Sequence, residues 1–287
     1  MGLIFILLSA TCSVLIAHFL KMSEQRKRST LNVLTVNYLV AVIAAVYLNY
    51  SNGLAIIPEF PLWFWFYTAF IGVLFVVNLF ILSKSVDFNG MGSSIVAMRL
   101  SLMVPVIVAF TVYSEPVTIT KIMGILLVFG SLYLLVQSRR KLEKQKIGKY
   151  TLLLALFFFS GIIDTSFKVF EMEMGDVAVG AHFMSVIFFS AFIVALSSSI
   201  YKGEVKKIGK QDLIFGLLVG IPNLFASIFL INAFATIDAS IVYPVVNILI
   251  IIAGTIVGLF VWKDRLEKAE LIGIVLGVFA ILVLLST

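Results

Sequence analysis

Long apolar runs separated by short clusters of charged and turn residues set the architecture of this chain. The runs cover about 2–22, 31–50, 61–83, 90–112, 117–137, 150–172, 178–200, 210–235, 239–262 and 266–286. Each matches the ~20 residues an α-helix needs to cross the hydrocarbon of a bilayer. None shows the ~10-residue alternation of a membrane barrel strand, so the pattern predicts helices throughout. The first run starts at Gly2 without a basic leader and is followed by basic residues, so it reads as a span rather than a cleaved signal.

The pattern contains a copy of itself. The stretch from Ser94 through Glu115 to Val136 is echoed from Ile237 through Asp264 to Leu285. In each, an acidic residue (Glu115, Asp264) is followed nine positions later by a Gly-Ile pair (Gly124-Ile125, Gly273-Ile274) that opens a second apolar run. These hairpins stand 149 positions apart, and Lys21 and Lys168, which close two similar runs, stand 147 apart. Anchors at both ends of a half point to duplication of the whole half. The predicted organisation is a first repeat at 1–137, a basic linker at 138–149 and a second repeat at 150–287. Five spans per half is an odd number, so the second half enters the membrane in the opposite sense. The expectation is an all-α integral membrane protein of ten transmembrane helices in two inverted five-helix repeats. The prolines do not superpose at the repeat offset, which argues against strict symmetry.

Composition agrees: 61% hydrophobic and 13% charged residues, with a mean hydropathy of +1.13 over 287 residues, exceed what a soluble core could hide. The +6 net charge is distributed by topology, since 18 of the 21 Lys and Arg fall in the loops after spans one, three, five, seven and nine. The positive-inside rule puts those loops in the cytoplasm and both termini outside. Nucleic-acid binding is a poor reading of such charge, and contact with anionic lipid a secondary one. Cys12 stands alone in a span, so neither a disulfide framework nor a metal cluster is expected.

Candidate chemistry lies at the few polar residues inside the runs. Arg99 falls about nine residues from the inner end of span four, roughly 14 Å deep at 1.5 Å per residue. A cation there is costly unless it faces protein or a wet cavity, so Arg99 is either a substrate-side cation or a buried arginine satisfied by carbonyls or a carboxylate. Pro105 can bend the same span. Asn78 in span three serves either a neighbouring helix or a substrate. Asp164 and Lys168, four apart in span six, form either a local ion pair or leave Asp164 facing a cavity as a proton-coupling carboxylate. Pro222-Asn223 in span eight, and Tyr243-Pro244 with Asn247 in span nine, free backbone and amide groups that a helix, water or ligand must satisfy. Glu115 reads as a cap or loop charge, and His18 and His182 as interfacial or structural. Tyr47, Tyr50, Trp63, Trp65 and Tyr67 form an outer aromatic belt.

The stretches Ala239-Ser-Ile-Val-Tyr-Pro244, Phe260-Val-Trp-Lys-Asp264-Arg-Leu with Leu271-Ile-Gly273-Ile, and Ser114-Glu115-Pro116 with Met123-Gly124-Ile125 resemble the drug/metabolite transporter superfamily. Within it, the resemblance is to the ten-span EamA-like exporters, and it covers essentially the whole chain. Asp264 replaces that family's more usual Glu. Lys21-Met-Ser-Glu24 also resembles the first-helix end of the small multidrug resistance branch, whose membrane Glu is here replaced by Ser13 and Ser160. That branch's proton-coupled cation exchange is therefore not carried over. The resemblance implies a central cavity lined by spans one to four and six to nine, with spans five and ten peripheral.

The expected function is alternating-access transport, secondary-active or passive, exporting small metabolites such as amino acids across a plasma (inner) membrane. The substrate-side candidates are Arg99, Asn78, Asn223, Tyr243 and Asn247, and the coupling candidate is Asp164. Alternatives are an exporter of lipophilic cations, suggested by the 26 Phe, and a non-transporting receptor. An enzyme is disfavoured: two distant His, no His-Glu-x-x-His and no Walker run provide no catalytic constellation. No cofactor is expected. The expected partners are a small-molecule substrate and the lipid bilayer, with a homodimer as a further option and no nucleic acid.

Overall fold

The computed structural model describes residues 1–55, 57, 59–89, 91–143, 149–175, 180–261 and 268–286; Asp264, with Lys263 and Arg265, lies outside them, as do Lys144 and Lys146 of the linker. The described residues are helical, without strands: α1 Gly2–Gln25, α2 Thr30–Ser51, α3 Leu62–Asn89, α4 Met91–Leu100, α5 Met103–Thr111, α6 Ile119–Glu143, α7 Tyr150–Met174, α8 Gly180–Tyr201, α9 Lys210–Phe234, α10 Ala239–Val261 and α11 Lys268–Leu285. Among these residues nine stretches are long and apolar enough to cross a membrane, α4 and α5 counting together as Ser93–Thr111; Ile119–Leu135 of α6 is apolar but shorter. Large apolar side chains such as Ile43, Phe66, Phe158, Phe189 and Phe279 stand exposed along the helices. Outward-facing apolar surface of that kind requires lipid as the surrounding solvent. The chain is a multi-pass membrane protein.

The helices gather into two compact units whose boundaries fall inside α1, α3, α7 and α9. One contains Leu8–Val76 and Val169–Asn232. Here α2 lies against α8, with Ala41, Ala45, Ala191 and Ala195 wholly buried, so small residues let two backbones approach where lipid supplies no hydrophobic drive. Glycines do the same for α3 and α9: a Cβ on Gly72 would meet the Ile187 carbonyl oxygen at 2.3 Å, and one on Gly220 would meet that of Asn37 at 2.7 Å. Phe60, Phe64, Phe170 and Phe183 fill the space beside them, the last two stacked with ring centroids 4.5 Å apart. Buried polar groups at the helix ends read distant backbone, Asn32 donating to the Glu204 carbonyl (3.0 Å) and His182 Nε2 bonding that of Ala55 (2.7 Å).

The other unit contains Met1–Leu7, Val77–Lys168 and Ala233–Thr287. Its α6 and α11 pack along their length, Gly124 against Leu284 and Gly273 against Leu135. Span four is interrupted between α4 and α5. Pro105 has no N–H for the Ser101 carbonyl, the chain turns at Ser101–Leu102, and Val104 N takes that carbonyl at 2.9 Å instead. The helix therefore divides one turn before the proline, ending α4 just beyond Arg99. Gly161 of α7 faces this break, where a Cβ would come within 2.5 Å of Val104.

The N-terminus of α10 is capped from afar. Glu115 accepts the Ala239 and Ser240 N–H groups at 2.9 and 3.0 Å, and Lys168 Nζ lies 3.4 Å from the same carboxylate. Both side chains are more than nine-tenths buried, and the ammonium also sits over the rings of Tyr113 and Phe234. Beside it, Lys121 donates to Asp238 and to the Pro116 carbonyl. Glu115 is thus a cap, although on a helix 124 residues away.

Candidate functional site

The α4 break places Arg99 in the last turn of a short helix, with its neighbours arriving from α10 and α7. Its Nη1 donates to Asn247 Oδ1 at 2.8 Å, Asn247 Nδ2 donates to the Tyr243 carbonyl at 3.0 Å, and the Tyr243 hydroxyl donates to the Asp164 carbonyl at 2.5 Å. Tyr243 is 2% exposed and packs on Phe234. The chain of bonds ends at Asp164, whose carboxylate returns to Arg99 only through its electric field. Among the described residues, no Lys or Arg nitrogen comes within 4.0 Å of that carboxylate, and it makes no hydrogen bond. Arg99 and Asp164 are densely surrounded by protein, yet both retain intermediate accessibility. Two opposite charges therefore interact here without forming an ion pair.

Asn78 of α3 completes the group. Its Nδ2 donates to Ser160 Oγ at 2.9 Å, whereas its Oδ1 is buried without a hydrogen-bond partner. Ser160 and Asp164 are one turn apart on α7, so they share a face with about 6 Å between their Cβ atoms. Arg99 carries five N–H donors, of which Asn247 takes one. The cluster thus offers spare guanidinium donors, a carboxylate and an amide oxygen.

Arg99, Asn78, Tyr243, Asn247 and Asp164 all belong to the unit that includes Val77–Lys168 and Ala233–Thr287. Asn223 belongs to the other, where its Nδ2 donates to Asn37 Oδ1 at 3.2 Å and Ser227 Oγ donates to its carbonyl. The Lys168 ammonium lies 3.4 Å from the Glu115 carboxylate, a partner outside its own helix. Two partners were not anticipated from sequence, Ser160 for Asn78 and Asn37 for Asn223. Their only signal is a polar side chain inside an apolar run.

No family model matches the chain. It is 28% identical to an uncharacterized protein of Haemophilus influenzae, over 98% of this chain and 96% of the relative. It is also similar to a protein of known crystal structure at a TM-score of 0.78, with 10% identity over 98% of each chain. At that identity the likeness is one of fold.

Proposed function

We propose that the chain is a ten-span carrier of small metabolites, built as two inverted five-helix repeats and working by alternating access around Arg99. The observation that carries this reading is the Arg99–Asn247 hydrogen bond, whose partners are 148 positions apart. Two pairs of helices begin at that spacing: Gly2 and Tyr150, and Leu62 and Lys210, are each 148 apart. Arg99 therefore touches its own counterpart, and a residue in contact with its counterpart lies on the axis relating the repeats. Reciprocal contacts within each unit support the repeat. Gly124 on Leu284 and Gly273 on Leu135 exchange at an offset of 149, and Gly72 on Ile187 is mirrored by Gly220 on Asn37.

A site on the axis of an inverted repeat is met equivalently by both halves, so rocking one against the other exposes it to either side in turn. A guanidinium there recognises a carboxylate or other anionic group, which makes amino acids or related metabolites the substrates of this reading. The positive-inside distribution orients the basic loops to the cytoplasm and both termini outward, in a bacterial-type inner membrane. The resemblance to EamA-like exporters agrees with efflux as the direction. Counterflow in proteoliposomes is the test: trans-stimulated uptake of a labelled anionic metabolite is expected for the wild-type chain and not for Arg99→Ala. Binding without counterflow makes the protein a receptor.

A further inference from the structure

We propose that Asp164 and the Asn78 Oδ1 form an ammonium subsite, so that the ligand at Arg99 is a zwitterion bearing a free amine as well as a carboxylate. This rests on the assignment of Arg99 as substrate-facing and gives Asp164 a binding role instead of a proton-carrying one. The first ground is that Arg99 and Asp164 interact electrostatically but do not pair. In a low-dielectric surround two such side chains gain by closing on one another, and holding them apart leaves each half-neutralised. A ligand with both charges restores the balance, its carboxylate on the spare guanidinium donors and its ammonium on Asp164.

The second ground is independent of charge. Asn78 is 7% exposed, and its Oδ1 has no donor while its Nδ2 is held by Ser160. A buried acceptor left empty costs about 1–3 kcal/mol, so a donor from outside the chain is the natural occupant. An ammonium has three N–H groups, enough to serve Asp164 and Asn78 at once. Asp164 is held for this purpose from behind, since its backbone carbonyl takes the Tyr243 hydroxyl and Lys168 is drawn away to Glu115.

The test uses the purified full chain in detergent, with thermal stabilisation reporting binding. The probes are the twenty proteinogenic L-amino acids, each beside its des-amino acid and its N-acetyl derivative. At least one amino acid is expected to bind, with both amine-blocked forms weakened about tenfold or more, the scale of a charged hydrogen bond. Asp164→Asn and Asn78→Leu should show the same loss. If Asp164→Asn does not fold, Asp164→Glu replaces it and is expected to retain discrimination between amine and blocked amine. The subsite is overturned if no amino acid binds, if the des-amino acid binds as tightly, or if Asp164→Asn and Asn78→Leu discriminate like wild type. Carrier function fails separately: amine-dependent binding without counterflow removes transport and leaves the subsite standing. Counterflow of amine-free anions does the reverse.

Discussion

Arg99 donates to Asn247 at 2.8 Å across 148 positions of sequence. This hydrogen bond links α4 to α10, with a cation on one side and a neutral amide on the other.

Replacing Arg99 with Ala removes the cation and strands the Asn247 Oδ1. Loss of a charged hydrogen bond is worth about 1.5–3 kcal/mol, so substrate affinity should fall roughly ten- to hundredfold. Arg99→Lys keeps the charge without the planar fork and should recover only part of it. Concentration dependence of counterflow separates the three proteins.

Breaking the Glu115–Lys168 pair should cost far more stability than a surface pair. Lys168→Met leaves the carboxylate buried on the α10 N-terminus with two N–H groups, while Glu115→Gln leaves the ammonium without its anion. Removing one partner of such a pair costs about 3–5 kcal/mol. Thermal unfolding in detergent should show a large drop for each single variant and a smaller one than their sum for the double variant.

The glycines are predicted to fall into two classes. Gly72→Ala and Gly220→Ala drive a methyl into a carbonyl oxygen and should lower both yield and unfolding temperature. Gly254, with nothing within 4 Å of a built Cβ, is the control. Helix propensity alone should make Gly254→Ala neutral or stabilising by up to about 1 kcal/mol.

Orientation is testable by thiol labelling in a Cys12→Ser background. An impermeant maleimide applied to intact cells should modify Asn52→Cys, after α2, and leave Lys202→Cys, after α8, unmodified until the membrane is opened. The opposite pattern would invert the charge-based assignment.

Helix positions were legible in the sequence because a membrane span is a one-dimensional pattern: length and apolarity suffice, and Leu62 or Lys210 marks a start without reference to anything else. Arg99 was legible for the same reason, being a charge where none is cheap. Tertiary partners were not. The i,i+4 rule saw Asp164 beside Lys168 and had no means of seeing Glu115, which reaches Lys168 from another part of the chain. Pro105 announced a distortion, but that it would split the helix at Ser101–Leu102 depends on which carbonyl loses its donor and on Gly161 facing the gap. Asn223 and Asn247 each followed a proline inside an apolar run, yet only a fold distinguishes an amide held by Asn37 from one held by a guanidinium.

Asn89, at the end of α3, uses both ends of its amide on a single residue: Nδ2 donates to the Lys149 carbonyl at 3.0 Å and Oδ1 accepts the Lys149 N–H at 2.8 Å. The second half of the polypeptide is thereby moored to the first by a side chain bonded to main chain, alongside the covalent connection. A gene split between codons 137 and 149 should yield two fragments that find each other in the bilayer, each recognising where the other begins.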